Sequence, residues 1–155
     1  MRVDGPDTYQ LTFDAQSFVV RCPRGTDKFS GFSTSKRPKL YVVSIRRRPV
    51  YVGVTRRSIR ARLRGGWKAD GRAGYYGYAF RHKLVSAQLD IWCHQNASGE
   101  NPNLALETVE AEVVYHIRQA GQWPLFQTEI HFRPSKAVHR RLAQRILSRY
   151  RLRKR

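Results

Sequence analysis

The chain is short of acid. Eleven Asp and Glu stand against thirty Lys and Arg over 155 residues, a formal net charge of +19, well beyond what solubility asks of a small domain. Such an excess favours a polyanionic partner, because neutralising phosphates releases condensed counterions. Ribosomal proteins and anionic-membrane binders share the bias, so charge alone does not choose among them. Cysteine is nearly missing: Cys22 and Cys93 stand apart without CxxC spacing, which excludes a disulfide framework and a cysteine zinc site. No apolar run approaches membrane-spanning length, and residues 1–14 lack the apolar core of a secretion signal. The expectation is a reduced, cytoplasmic setting without a membrane, where the sequon Asn96-Ala97-Ser98 has no meaning. Also missing are a Walker-type loop, a Rossmann fingerprint and a Ser-His-Asp arrangement. His116, His131 and His139 do not form a metal-ligand set with carboxylates.

What is present suffices for one ordinary domain, with 41% apolar residues to build a core. Residues 1–38 read as an N-terminal extension with one or two strands, around 9–13 and 18–20, before a Gly/Ser/Lys-rich linker at 25–38. Residues 39–134 form the central unit. It opens with β-type runs at 40–45 and 50–54, which flank Arg46-Arg47-Arg48-Pro49 as a hairpin. Ser58 is placed to cap a helix on which Ile59 and Leu63 share a face, ending near Gly65-Gly66. Tyr75-Tyr76-Gly77-Tyr78 leads into a short helix at 80–84, and residues 89–92 alternate as a strand. Residues 104–120 make the strongest helix, with Gly121 as its stop. A loop and short strand follow at 123–132. Residues 135–155 read as a basic helix and tail: Ser135 as cap, Val138, Leu142, Ile146 and Tyr150 as the docking stripe, and Arg141, Arg145 and Arg149 as a parallel basic stripe running into Arg151 and Arg153.

Helical periodicity singles out one carboxylate. Leu106, Val109, Val113 and Ile117 define an apolar face, and Glu110 falls inside that sector beside Ile117. Glu107 lies at the border and Glu112 points the opposite way. A carboxylate at a core boundary loses hydration unless a cation compensates it. A metal ion and an arginine both meet that need. Tyr41 and Tyr51, ten residues apart on the two runs of the hairpin, each read alone as a packing residue, but as a cross-strand pair beside Gly53 and ahead of the arginine helix they read as site residues. The Tyr75–Tyr78 cluster reads as packing or as a stacking platform for unpaired bases.

Taken in order, Leu40-Tyr41-Val42, Tyr51-Val52-Gly53, Arg62-Leu63, Glu110-Ala111-Glu112-Val113-Val114 and Pro124 with Gln127 resemble the GIY-YIG nuclease superfamily over residues 39–127. The resemblance implies an α/β fold with a small, mainly antiparallel sheet flanked by helices, elaborated here by N-terminal strands and a basic C-terminal helix. It implies metal-dependent hydrolysis of DNA, with Glu110 holding Mg²⁺ or Mn²⁺ and Arg62 neutralising charge on the phosphorus. Tyr41 or Tyr51 would orient or deprotonate the attacking water. Gln127 stands where the family usually has Asn, and no histidine follows Arg62 where some members carry one; Lys68 and His82 are the nearby substitutes. Arg60, Arg64, Lys68, Arg141, Arg145, Arg149, Arg151 and Arg153 are the expected phosphate contacts. The substrate is duplex or single-stranded DNA, and the protein a monomer or homodimer. The rival expectation is a non-catalytic, basic nucleic-acid-binding protein.

Overall fold

The computed structural model describes residues 1–95, 101–122 and 130–152. Five strands form one sheet: β1 (Val3–Phe13), β2 (Phe18–Arg21), β3 (Lys39–Ile45), β4 (Arg48–Thr55) and β5 (Ser86–His94). Their order is β2-β1-β5-β3-β4 and every neighbouring pair is antiparallel. Helices α1 (Ile59–Trp67), α2 (Pro102–Gln119) and α3 (Ala137–Leu147) flank it. The chain is thus an α/β protein built on a small antiparallel sheet. The strands expected of an N-terminal extension belong to this sheet, for β1 lies inside it between β2 and β5.

Alternation along the strands divides the interior in two. On one face Tyr41, Val43, Leu89, Ile91, Tyr9 and Leu11 pack against α1 and the segment carrying Tyr78 and Phe80. On the other, Leu40, Val42, Val52 and Trp92 pack against α2 and α3. Residues 39–44 of β3 are all buried, as a central strand covered on both faces requires.

The β3–β4 hairpin is tighter than the sequence pattern suggests. Arg48 and Pro49 pair with Ile45 and Ser44, leaving only Arg46 and Arg47 in the turn, with φ of 48° and 64°. Two positive φ values in a two-residue loop suit the right-handed twist of the flanking strands. Val50 is an extra residue between two paired positions, a bulge that puts Tyr51 on the α1 side. Pro49 is tolerated because β4 is an edge strand.

Ser58 caps α1 by accepting from the Ala61 amide at 3.3 Å. The helix continues through Gly65-Gly66 to Trp67, whose buried indole donates to the Asp14 carbonyl at 3.0 Å. Asn101 caps α2 and Pro102 opens it, two residues ahead of the expected start, since proline at the first turn loses no hydrogen bond. The short helix expected at 80–84 is a 3-10 turn over Ala79–His82, and residues 130–132 are not in a strand.

In α3 the cap is Lys136 rather than Ser135, and the Lys136 amide donates to His139 Nδ1 at 3.1 Å. The helix stops at Leu147. Tyr150, expected on its last turn, lies beyond it yet remains buried, and its hydroxyl donates to the buried Asp90 carboxylate at 2.7 Å. Thr8 donates to the same carboxylate at 2.6 Å, so the end of α3 is tied to the centre of the sheet. Both cysteines are buried and free. Among the described residues no helix is long and apolar enough to cross a membrane.

Candidate active site

Register places Tyr41 directly opposite Gly53. A β-carbon on Gly53 would lie 2.5 Å from Cζ and Oη of Tyr41, so the missing side chain is the seat of the ring. The same device recurs on α1, where Gly66 leaves room for the ring of Tyr78. With both rings seated, the hydroxyls of Tyr41 and Tyr78 meet at 2.8 Å.

Arg62 lies one helical turn before Gly66 and so points to the same side of α1. Its Nε donates to the Tyr41 hydroxyl at 3.2 Å. Its guanidinium carbon is 5.6 Å from the ring centre of Tyr75 and 5.7 Å from that of Tyr78, within cation–π range. Burial works against its charge, but the surrounding tyrosines more than offset this and hold the group cationic. Arg62 is half-buried and in part open to a surface hollow of about 370 Å³, lined also by Val54, Thr55, Arg56, Arg57, Asn103 and Glu107.

Tyr51 stacks on Tyr41 with ring centres 6.0 Å apart and meets Tyr78 edge-on at 5.2 Å. Tyr41 is fully buried, whereas Tyr51 is half-buried. The Tyr51 hydroxyl makes no hydrogen bond among the described residues. Burial, reinforced by Tyr78, pushes the Tyr41 hydroxyl well above its ordinary 10.0, and burial followed by Tyr41 raises Tyr51 as well. Neither is prepared to give up a proton near neutrality.

Glu110 approaches from the other face of the sheet. Its neighbours Leu106, Val109, Val113 and Ile117 are fully buried against the sheet, and Glu110 beside them is half-buried. Burial, then repulsion from Glu107, pushes its carboxyl up to about 8, while Arg62 pulls the other way. Arg62 and Glu110 are therefore within electrostatic reach of one another although α1 and α2 cover opposite faces. Glu107 is held by Asn103 Nδ2 at 2.7 Å and lies 3.6 Å from Arg133. Glu112 is not on an open face: it is largely covered, 3.8 Å from His116.

The other residues singled out from the sequence fall elsewhere. Arg60 lies over the Phe29 ring at 5.5 Å, away from Arg62. Arg64 and Lys68 are exposed along the last turn of α1. His82 is exposed and accepts from Arg81 Nε at 3.1 Å. Arg141 and Arg145 are exposed on α3. Arg149 accepts at its carbonyl from Arg47 Nε, and the Arg151 amide donates to the Arg47 carbonyl, both at 2.8 Å. The end of α3 is thereby fastened to the hairpin turn, the end of β4 remote from Thr55. Pro124, Gln127 and Arg153 lie outside the described residues.

The residue that sequence reasoning underused is Tyr78. Two glycines, each one strand pair or one helical turn from a site residue, are the signal that would have found it. Comparison with protein-family models, with curated proteins and with solved structures returns no match for this chain.

Proposed function

We propose that this protein is a divalent-metal-dependent nuclease of the GIY-YIG type that hydrolyses phosphodiester bonds in DNA. The reading is carried by Arg62 facing a surface hollow beside the edge strand, with Glu110, on a helix that covers the other face of the sheet, within its electrostatic reach. A half-buried arginine facing a surface hollow is suited to a phosphate, because its planar fork binds two oxygens and never loses its charge.

A Mg²⁺ or Mn²⁺ ion fits the donor set. Glu110 is a carboxylate short of a cation, half-buried and repelled by Glu107. Among the described residues no group of three or more His, Cys, Asp or Glu comes together. That is compatible with a hard cation held by one or two carboxylates, with water and substrate phosphate completing its shell. Bound there, the ion would polarise the phosphate and stabilise the leaving oxygen.

The chain's own residues divide the remaining work. Arg62 binds the phosphate and stabilises charge that grows on its oxygens. Tyr41 and Tyr78 hold Arg62 and touch no substrate, which makes Tyr41 a positioning residue. Tyr51, whose hydroxyl has no hydrogen-bond partner among the described residues and stays protonated, orients the phosphate or the attacking water as a donor rather than removing a proton. The test is incubation of intact protein with plasmid and single-stranded DNA, in Mg²⁺ and in EDTA. Cleavage in Mg²⁺ that stops in EDTA is expected; cleavage undiminished by EDTA, or none of either substrate, overturns the reading.

A further inference from the structure

Two surface features that border Arg62 have no part in the chemistry above. The first is a row of three adjoining hollows of about 410, 690 and 370 Å³, all of which Arg56 lines. The row leads from Lys36 past Arg56 and Arg57 to Arg62. Lys36, Arg56 and Arg57 are exposed, and none has a carboxylate partner among the described residues. Arg37, also on the row, is paired with Asp4 at 3.5 Å. Three cations without a carboxylate partner along an open groove repel one another, and their sign suits a phosphate backbone.

The second feature is the loop that follows α1. Gly71, Ala73, Gly74 and Gly77 all have positive φ, and the loop is closed by Gly71 and Gly74 amides donating to the Tyr75 and Gly71 carbonyls, both at 3.0 Å. It turns Tyr78 into the core and leaves Tyr75 and Tyr76 outside, 41% and 74% exposed. The Tyr76 ring is braced over Gly71, and Tyr75 lies against Arg62. One exposed aromatic means little. Two on a hydrogen-bonded loop beside a phosphate-binding arginine, continuous with a basic groove, supply both parts of a single-strand-binding surface.

We infer that the site takes unpaired nucleic acid, an inference that rests on the nuclease reading. The backbone follows Lys36, Arg56 and Arg57 to Arg62, and a base next to the bound phosphate stacks on Tyr75 or Tyr76. In a duplex each base face is covered by its neighbours, so these rings have nothing to stack on until a base is splayed out.

The test is fluorescence anisotropy in EDTA with labelled oligo-dT and with its duplex with oligo-dA. Oligo-dT should bind more tightly. Tyr75→Leu/Tyr76→Leu should weaken oligo-dT about tenfold or more and the duplex far less, while the corresponding double Phe variant binds as the parent does. Arg56→Gln/Arg57→Gln should make the log–log salt slope for oligo-dT less negative by about 1.4, two single-strand phosphates at ~0.7 each. A duplex that binds as tightly as oligo-dT, a Leu variant equal to the Phe variant, or an unchanged salt slope overturns the inference. Parallel cleavage assays in Mg²⁺ separate the two readings. Oligo-dT preference without cleavage overturns the nuclease and keeps the groove; cleavage with no strand preference does the reverse.

Discussion

The ring of Tyr41 occupies the space that a side chain on Gly53 would need, 2.5 Å from where its β-carbon would lie. This cross-strand fit fixes the Tyr41 hydroxyl, and through it Arg62, whose Nε donates to that hydroxyl at 3.2 Å. Gly53→Ala should therefore act twice. Overpacking a buried site costs about 1–3 kcal/mol, read as a lower Tm. Cleavage should fall further than the lost stability accounts for, because Arg62 is displaced; full activity in a destabilised Gly53→Ala protein would show that Arg62 is placed without Tyr41.

Tyr41→Phe isolates the hydroxyl. It keeps the ring over Gly53 but removes the acceptor for Arg62 and the partner of Tyr78. A fall in kcat with KM for DNA nearly unchanged is the expected pattern for a positioning role, and Arg62→Lys should be worse, by about 100-fold or more in kcat. If Arg62→Lys cleaves normally, Arg62 does not belong to the site.

Glu110 makes a pH prediction whose sign follows from proton counting. Its folded carboxyl is raised from the ordinary 4.5 to about 8, so between those values the folded chain keeps a proton that the unfolded chain has lost. Stability from this group falls as pH rises through that window. Glu110→Gln should match the parent below about pH 4.5 and exceed it increasingly toward pH 8. A displacement of only one pH unit corresponds to about 1.4 kcal/mol, or about 3–6 °C in Tm at this chain length. Mg²⁺ should raise the Tm of the parent at pH 8 and leave that of Glu110→Gln unmoved. A parent no less stable than Glu110→Gln at pH 8 would remove the premise.

Glu112→Ala separates the two acids of the long helix. Glu112 faces His116 rather than Arg62, so cleavage should stay within a few-fold of the parent while Glu110→Ala is inactive with its DNA affinity retained or increased, since it removes like-charge repulsion from the phosphate. Exchanged outcomes in the plasmid assay would move the metal ligand to Glu112.

Tyr150→Phe tests the tie between α3 and the sheet. It deprives the buried Asp90 of a donor at 2.7 Å, which costs about 1–3 kcal/mol, measurable by urea denaturation. DNA cleavage by the folded variant should be unchanged, since Tyr150 lies on the α3 side, remote from Arg62.

Local chemistry made much of this architecture legible in the sequence. The β-type runs, Ser58 as a helix cap, the long helix and its apolar face each follow from periods and caps that involve only near neighbours in the chain. Glu110 stood out for the same reason, as a carboxylate inside an apolar sector. Tertiary structure decided what no period encodes. It put β1 inside the sheet between β2 and β5, turned Tyr78 inward and Tyr75 and Tyr76 outward, and fastened the basic C-terminal helix to the hairpin turn. It also put Arg62 and Glu110, on helices that cover opposite faces of the sheet, within electrostatic reach of one another. Those outcomes depend on strand order, on which face each helix covers and on rings seated over distant glycines, and contacts of that kind are settled only when the whole core packs.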